Sequence, residues 1–101
     1  MAIAFQETWE LRYDPRVRRQ LERVRNKAVA RKLKEAAKRL AESPYLGKSL
    51  SGYPGVFSKR VGTSGGEYRI LYRPIRRDRV VFVVLIGPRE EVYDLLKRRD
   101  V

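Results

Sequence analysis

The stretch from Phe57 to Tyr72, which reads FSKRVGTSGGEYRILY, restricts the fold of this chain more than any other segment. On both sides of a Gly/Ser-rich connection at residues 62–66, residues alternate at period two. This is the pattern of a β-hairpin, here with a loop longer than the two-residue minimum. The chain is therefore expected to be built around an antiparallel pair of strands.

Alternation assigns the side chains of this hairpin to two faces, because successive residues of a strand point to opposite sides of a sheet. One face is expected to join the core and carries Phe57, Lys59, Val61, Tyr68, Ile70 and Tyr72. The opposite face carries Ser58, Arg60, Arg69, Leu71 and Arg73. Hydroxyl and guanidinium groups on neighbouring strands are typical of an anion-binding surface.

Length and charge limit the domain count and the class of partner. A chain of 101 residues is expected to form a single domain over residues 1–101. Lys and Arg total 24 against 12 Asp and Glu, which gives a net charge of +12. Such an excess indicates a polyanionic partner, and charge alone leaves RNA, DNA, an acidic protein and an anionic membrane surface open.

Several residue types and segments are missing from the chain. It contains neither cysteine nor histidine, so disulfides are excluded and a zinc site is not expected. Its N-terminus, MAIAFQETWE, has no basic region followed by a long apolar run, which indicates neither a signal peptide nor a membrane span. We therefore expect a cytoplasmic protein with no membrane partner.

The segment before the hairpin reads as a strand followed by two helices. Alternation predicts a strand from Thr8 to Tyr13, and Asp14-Pro15 is a typical helix start. The apolar stripe is interrupted near Arg25–Lys27 and resumes until Ser43-Pro44. Two antiparallel helices are favoured over a single helix of about 28 residues, because a small domain has little room for a rod of about 40 Å.

The segment after the hairpin reads as a strand and a last helix. Pro74 is expected to end the central pairing or to lie at a bulge. The apolar run Val80–Ile86 predicts a strand buried on both faces, ended by Gly87-Pro88, and Arg89–Arg99 predicts a short helix. The expected fold is α+β: a four-stranded, mostly antiparallel sheet with two N-terminal helices on one face and a short C-terminal helix.

This order of elements and three motifs resemble the RelE/ParE family of toxins from toxin–antitoxin systems. The motifs are Leu50-Ser51-Gly52, the segment Gly66–Tyr72 in the pattern G-x-Y-R-[ILV]-x-Y, and Arg89 followed by Val92-Tyr93. The RNA-cleaving branch of this family, as the resemblance implies, consists of ribosome-dependent endonucleases that cut mRNA in the decoding site. A cognate antitoxin holds such toxins inactive, and neither a metal nor a small-molecule cofactor is implied.

The resemblance also implies roles for individual residues. Arg69 matches an arginine that contacts the scissile phosphate, and Arg89 matches one that stabilises charge or protonates the leaving group. Tyr93 matches a tyrosine that stacks on or orients the substrate base. Arg60 and Ser58 occupy positions where the RNA-cleaving branch has lysines, so the identity of the general base stays open.

The chemistry of the reaction can be compared with the residue types present. Attack by an internal 2′-hydroxyl requires a proton acceptor, cations for the charge on the phosphorane and a proton for the leaving 5′-oxygen. Without histidine, arginine can stabilise charge, and lysine or tyrosine can transfer protons. We expect the meander to bring the candidate catalytic residues together: Arg60, Arg69, Arg89 and Tyr93. Ser58, Lys59 and Arg73 are expected to bind RNA, although Lys59 points to the opposite face unless a bulge turns it.

Other interpretations stay open at this point. Arg69 could pair with a carboxylate such as Glu67 or Glu10, and Tyr93 could simply pack the last helix on the sheet. A gyrase-directed toxin of the same fold, which inhibits by binding protein, does not need the arginine cluster. A non-catalytic RNA-binding module is the third alternative.

Overall fold

A five-stranded mixed sheet, with helices on both faces, forms the framework of the protein. The structure is a computed structural model that describes residues 8–98. Its elements, in chain order, are β1 (Glu10–Tyr13), α1 (Pro15–Glu22), α2 (Lys27–Glu42), β2 (Lys48–Ser49), β3 (Phe57–Thr63), β4 (Gly66–Ile75), β5 (Val80–Pro88) and α3 (Arg89–Arg98). The strand order is β1-β5-β4-β3-β2, with β1 parallel to β5 and all other pairs antiparallel. The predicted α+β class is confirmed.

The sheet has one strand more than the four predicted. The additional strand is β2, in which Lys48 and Ser49 pair with Ser58 and Phe57 of β3. Two residues are too few to produce an alternating pattern, and this segment lies among turn-forming residues. The strand therefore forms because the chain returns alongside β3, which is a tertiary effect.

Two helices precede the hairpin, as predicted, and a side chain caps the start of each. The Asp14 carboxylate accepts a hydrogen bond from the Arg16 N–H at 2.9 Å, and Pro15 is the first residue of α1. The Asn26 side chain accepts from the backbone of Ala28 at 2.9 Å and so begins α2. These caps satisfy backbone donors that have no partner within the helix.

Two apolar clusters lie on opposite faces of the sheet. Helices α1 and α2 pack on one face and bury Val17, Leu21, Val29, Leu33, Ala37 and Leu40 against Val61, Ile70, Tyr72, Val81, Val83 and Ile86. Helix α3 packs on the other face, where Val92 and Leu96 join Val56, Leu71, Val84 and Leu85. Strand β5 contributes to both clusters, which confirms the prediction of a strand buried on both sides.

The turn of the central hairpin is tighter than expected. Strand β3 continues through Thr63 and β4 begins at Gly66, so that only Ser64 and Gly65 connect them. The Thr63 hydroxyl donates to the Gly66 carbonyl at 2.8 Å and accepts from the Gly65 N–H at 3.0 Å, while Gly66 has a φ of 109°. The prediction of a longer loop was wrong because Gly62 and Thr63 extend the ladder despite their weak strand pattern.

Proline also has less effect on the strands than expected. Pro74 does not end β4, which continues to Ile75 with Pro74 opposite Val81, and the register irregularity lies earlier, between Leu71 and Tyr72. Because β3 pairs with β4 only as far as Tyr72, the missing N–H of Pro74 breaks no bond to β3. Strand β5 likewise continues through Gly87 and ends at Pro88, two residues beyond the predicted end at Ile86.

The predictions for the two ends of the chain fall partly outside the described residues. Helix α3 is described as far as Arg98, so the predicted last residue, Arg99, lies outside the described residues, as do residues 1–7. Among the helices within residues 8–98, none combines the length and the apolar character that crossing a membrane requires.

Candidate functional site

Three arginines from separate elements lie together at the end of the sheet next to the β3–β4 turn. Arg60 of β3 and Arg69 of β4 are direct cross-strand partners. On its other side Arg69 is paired with Gly87 of β5, and Arg89 follows two residues later as the first residue of α3. The antiparallel meander thus brings the predicted arginines together, although they are far apart in the sequence.

The carboxylate of Glu67 lies at the centre of these arginines. Its Oε1 is 2.9 Å from Nε of Arg60, and its Oε2 is 2.8 Å from a terminal guanidinium nitrogen of Arg69. Nε of Arg69 also donates to Oε2 at 3.0 Å, and Nε of Arg89 lies 3.8 Å from the same oxygen. We refer to Arg60, Arg69 and Arg89 as the arginine cluster; with Glu67 it carries a formal charge of +2.

Within the arginine cluster, the central side chain is largely buried and the other two are exposed. The Arg69 side chain is 21% exposed, whereas those of Arg60 and Arg89 are 63–70% exposed. Arg69 is therefore held in place by its surroundings, and the two flanking guanidinium groups face solvent. Guanidinium groups that converge in this way match the geometry of carboxylate and phosphate oxygens.

A second contact joins two of the predicted residues beside the cluster. The hydroxyls of Ser58 and Tyr93 lie 3.2 Å apart, within hydrogen-bond distance. Ser58 is buried, and the Tyr93 ring packs against the apolar cluster under α3. Because Ser58 precedes Arg60 by two residues on one strand, this pair lies about 7 Å along the sheet from the arginine cluster. Tyr93 thus packs α3 onto the sheet and also borders the site.

Lys59 and Arg73 lie outside the arginine cluster, although Lys59 lines one cleft together with Arg60. Strand β3 runs without a bulge from Phe57 to Thr63, so Lys59 stays on the face of α1 and α2. There it lines a cleft of about 480 Å³ together with Lys32 and Arg39 of α2. Arg73 donates to the Pro54 carbonyl at 3.3 Å. Their binding to RNA, like that of Ser58, stays a prediction.

The structure also identifies the carboxylate that pairs with Arg69. Glu10 lies on edge strand β1 and forms its ion pair with Arg12, whose hydrogen bond and charge lower the pKa of Glu10. Glu67 is therefore the partner of Arg69, one of the two carboxylates considered from the sequence. Its bridging of all three arginines was not predicted, although Glu67 and Arg69, two residues apart on one strand, must share a face.

The side chains that the structure describes form no cluster of the usual metal ligands. Within residues 8–98, no three carboxylate, imidazole or thiol groups lie close enough together to hold an ion. The chemistry available at this site is that of cationic donors arranged around an anion, with a tyrosine and a serine hydroxyl alongside.

Comparison with protein families gives one match. Residues 11–93 match the model of the family described as the ParE toxin of the type II toxin–antitoxin system, parDE. No curated protein sequence matches the chain significantly.

Comparison with solved structures shows several similar toxins. A double arginine-to-alanine mutant of the E. coli toxin RelE in the free state is 29% identical, with a TM-score of 0.74 over 91% of this chain and 98% of that one. The isolated E. coli RelE toxin is 32% identical, with a TM-score of 0.68 over 89% of this chain and 97% of that one. The toxin–antitoxin complex RelBE2 from Mycobacterium tuberculosis gives 28% identity and a TM-score of 0.72 over 82% of this chain and all of the matched chain.

Proposed function

The chain belongs to the RelE/ParE family of type II toxin–antitoxin toxins, and on this basis we propose that it is a ribosome-dependent endoribonuclease that cuts mRNA in the ribosomal A site. The sequence resemblance to the RNA-cleaving branch and the 28–32% identity to RelE proteins support this activity. Inhibition of translation is the expected consequence in the cell.

The single observation that carries the proposal is the convergence of the arginine cluster on one anion. Arg60, Arg69 and Arg89 direct nitrogen atoms to within 2.8–3.8 Å of the Glu67 carboxylate. A phosphodiester offers oxygen atoms of the same charge and similar spacing to such donors. A toxin that acts only by binding gyrase does not require three arginines aimed at one point.

The reaction that fits this arrangement is transesterification within the RNA. The 2′-oxygen forms a bond to phosphorus as the bond to the 5′-oxygen breaks, which leaves a 2′,3′-cyclic phosphate and a 5′-hydroxyl. Arg69 binds the scissile phosphate, and Arg60 and Arg89 stabilise the additional negative charge of the phosphorane. Tyr93 borders the site as a surface on which the neighbouring base stacks.

The proton transfers of this reaction take place without a histidine, because the chain contains none. The family's two lysine positions are occupied by Ser58, which is buried and bonded to Tyr93, and by Arg60, which is largely exposed. Arginine stays protonated at physiological pH, so Arg60 acts through charge rather than as a base. We propose that solvent or a ribosomal group accepts the 2′-hydroxyl proton and that solvent returns a proton to the leaving 5′-oxygen, while positioning and charge supply most of the rate.

A cognate antitoxin is the second proposed partner. Similar toxins from E. coli and Mycobacterium tuberculosis occur in complexes with an antitoxin. The charge of +12 on this chain favours a partner with acidic segments. Such a partner would neutralise the surface that RNA would otherwise meet.

The activity is tested by primer extension on an mRNA under translation, with purified protein, in the presence and in the absence of ribosomes. We expect cuts within codons that occupy the A site only when ribosomes are present. A parallel assay measures supercoiling by DNA gyrase with the same protein preparation and is expected to show no inhibition. Intact mRNA together with inhibited gyrase would contradict the proposal and establish the gyrase-directed alternative; intact mRNA with tight RNA binding would indicate a non-catalytic RNA-binding module.

A further inference from the structure

Glu67 stands in the position that the proposed substrate phosphate requires. All three members of the arginine cluster direct a nitrogen atom at its carboxylate, and both its oxygens are engaged. The side chain is only 25% exposed, although it lies next to the turn of the β3–β4 hairpin. Each of the three guanidinium groups therefore already has at least one nitrogen directed at an anion supplied by the protein itself.

The surroundings of Glu67 allow the carboxylate to leave this position. Its cross-strand partner is Gly62, where a side chain would meet no atom within 4 Å, so the space beside it is open. A cleft of about 470 Å³ borders it on the α3 side and includes Gly66, Pro88 and Arg89. Rotation of the Glu67 side chain thus requires no movement of the strands.

We propose that Glu67 is a built-in counter-anion that positions the arginine cluster in the free protein and must be displaced by the RNA phosphate. This inference rests on the proposed function and adds that the free protein weakens its own binding of RNA. Without a counter-ion, three neighbouring guanidinium groups repel one another and spread apart. Glu67 holds them assembled, and it competes with any other anion for the same donors.

The charge of the competing groups determines which stage of the reaction Glu67 affects. The carboxylate and a ground-state phosphodiester each carry one negative charge, so they compete on nearly equal terms. The phosphorane carries about two, and the arginine cluster therefore prefers the transition state to Glu67. Glu67 should weaken substrate binding more than it slows the chemical step.

The test measures binding of a fluorescent, single-stranded 2′-O-methyl RNA oligonucleotide, which cannot be cleaved, to the full chain without ribosomes. We expect Glu67→Gln to lower the Kd about tenfold, which corresponds to ~1.4 kcal/mol. The control is Asp78→Asn, which removes a carboxylate paired with Arg77 at the β4–β5 turn and so makes the same change in net charge. We expect that control to change the Kd by less than about twofold, since its site lies outside the cluster.

A second variant and a double mutant complete the test. Glu67→Ser removes the carboxylate without placing an amide donor against the guanidinium groups, and it should bind the oligonucleotide as tightly as Glu67→Gln. In an Arg69→Ala background the gain from Glu67→Gln should be lost, because the two residues act on one site. Unchanged or weaker binding by both Glu67 variants would overturn the proposal.

A kinetic arm uses the ribosome-dependent reaction. If mRNA is cleaved, Glu67→Gln should lower KM while leaving kcat unchanged or reduced, whereas equal loss of kcat and kcat/KM would assign Glu67 a purely structural or catalytic role. The binding arm needs neither ribosomes nor cleavage. Its outcome therefore stands separately from the proposed function, and failure of one is distinguishable from failure of the other.

Discussion

At the scale of single residues, Gly47 shows how closely the turn after α2 is packed on the sheet. Its N–H donates to the Tyr72 hydroxyl at 2.9 Å, and a Cβ at this position would lie 2.7 Å from both that hydroxyl and the Ser58 carbonyl oxygen. Tyr72 is fully buried, and burial raises its pKa, so the hydroxyl stays neutral at physiological pH. Neither contact can move away without disturbing the core.

Replacing Gly47 with alanine should destabilise the fold. Because the added methyl group overlaps two fixed oxygens, we expect the free energy of unfolding to fall by about 1–3 kcal/mol. Urea denaturation of the variant measures this change. Gly62→Ala is the matched control, since an added Cβ there meets nothing within 4 Å, and it should alter stability by about 0.5 kcal/mol or less. Equal stability of both variants would show that the turn is not packed as described.

The sequence indicated which residues could form the site, but only some of their contacts. Alternation assigned Arg60 and Arg69 to one face, and the register confirms that they are direct partners. The bond between Ser58 and Tyr93 joins residues 35 positions apart and has no local signal. The bridging position of Glu67 depends on α3 beginning where β5 ends, which alternation within one hairpin does not determine.

At the scale of elements, α3 determines where two site residues lie. It carries Arg89 at its first position and Tyr93 one turn later, and Val92 and Leu96 anchor it to the sheet. The anchors are almost fully buried, whereas the neighbouring Lys97 is exposed. Packing of this short helix, rather than its own propensity, therefore holds that side of the site in place.

Shortening one anchor should affect both stability and activity. Leu96→Ala leaves a cavity under α3, and we expect a loss of about 2–5 kcal/mol in the free energy of unfolding. Ribosome-dependent cleavage should fall as well, because a loosened α3 no longer fixes Arg89 and Tyr93. Lys97→Ala, on the exposed side of the same helix, should change stability by about 0.5 kcal/mol or less. An active, fully stable Leu96→Ala variant would argue against α3 as a structural support of the site.

The longer helices and strands could be predicted because their apolar patterns repeat over many residues. The stripes of α1 and α2, the interruption near Asn26 and the apolar run of β5 all predicted the correct element. The two-residue strand β2 and the two-residue turn at Ser64–Gly65 were missed, since both depend on the chain pairing across space. Pro74 is tolerated within β4 because β3 does not extend alongside it: β3 begins at Phe57, which pairs with Tyr72.

Across the whole molecule, positive charges outnumber negative ones, but only the spatial arrangement of the arginine cluster defines the candidate site. The excess of +12 attracts any polyanion, and this attraction does not by itself explain cleavage. What distinguishes the arginine cluster from the other basic residues is its convergence on one point across β3, β4 and α3. We therefore propose that this cluster, rather than the overall charge, is responsible for cleavage of mRNA on the ribosome.

The most direct measurement of this claim is the rate of mRNA cleavage on programmed ribosomes by Arg69→Ala, Arg89→Ala and the control Arg77→Ala, whose side chain is 90% exposed at the distant β4–β5 turn. Each variant loses one positive charge, so they differ only in place. We expect the first two to cleave about 100- to 1,000-fold more slowly, as is typical when a donor to a developing oxyanion is removed, and the control to retain the wild-type rate. Equal cleavage rates for all three variants, in proteins of unchanged stability, would contradict a catalytic role for the arginine cluster.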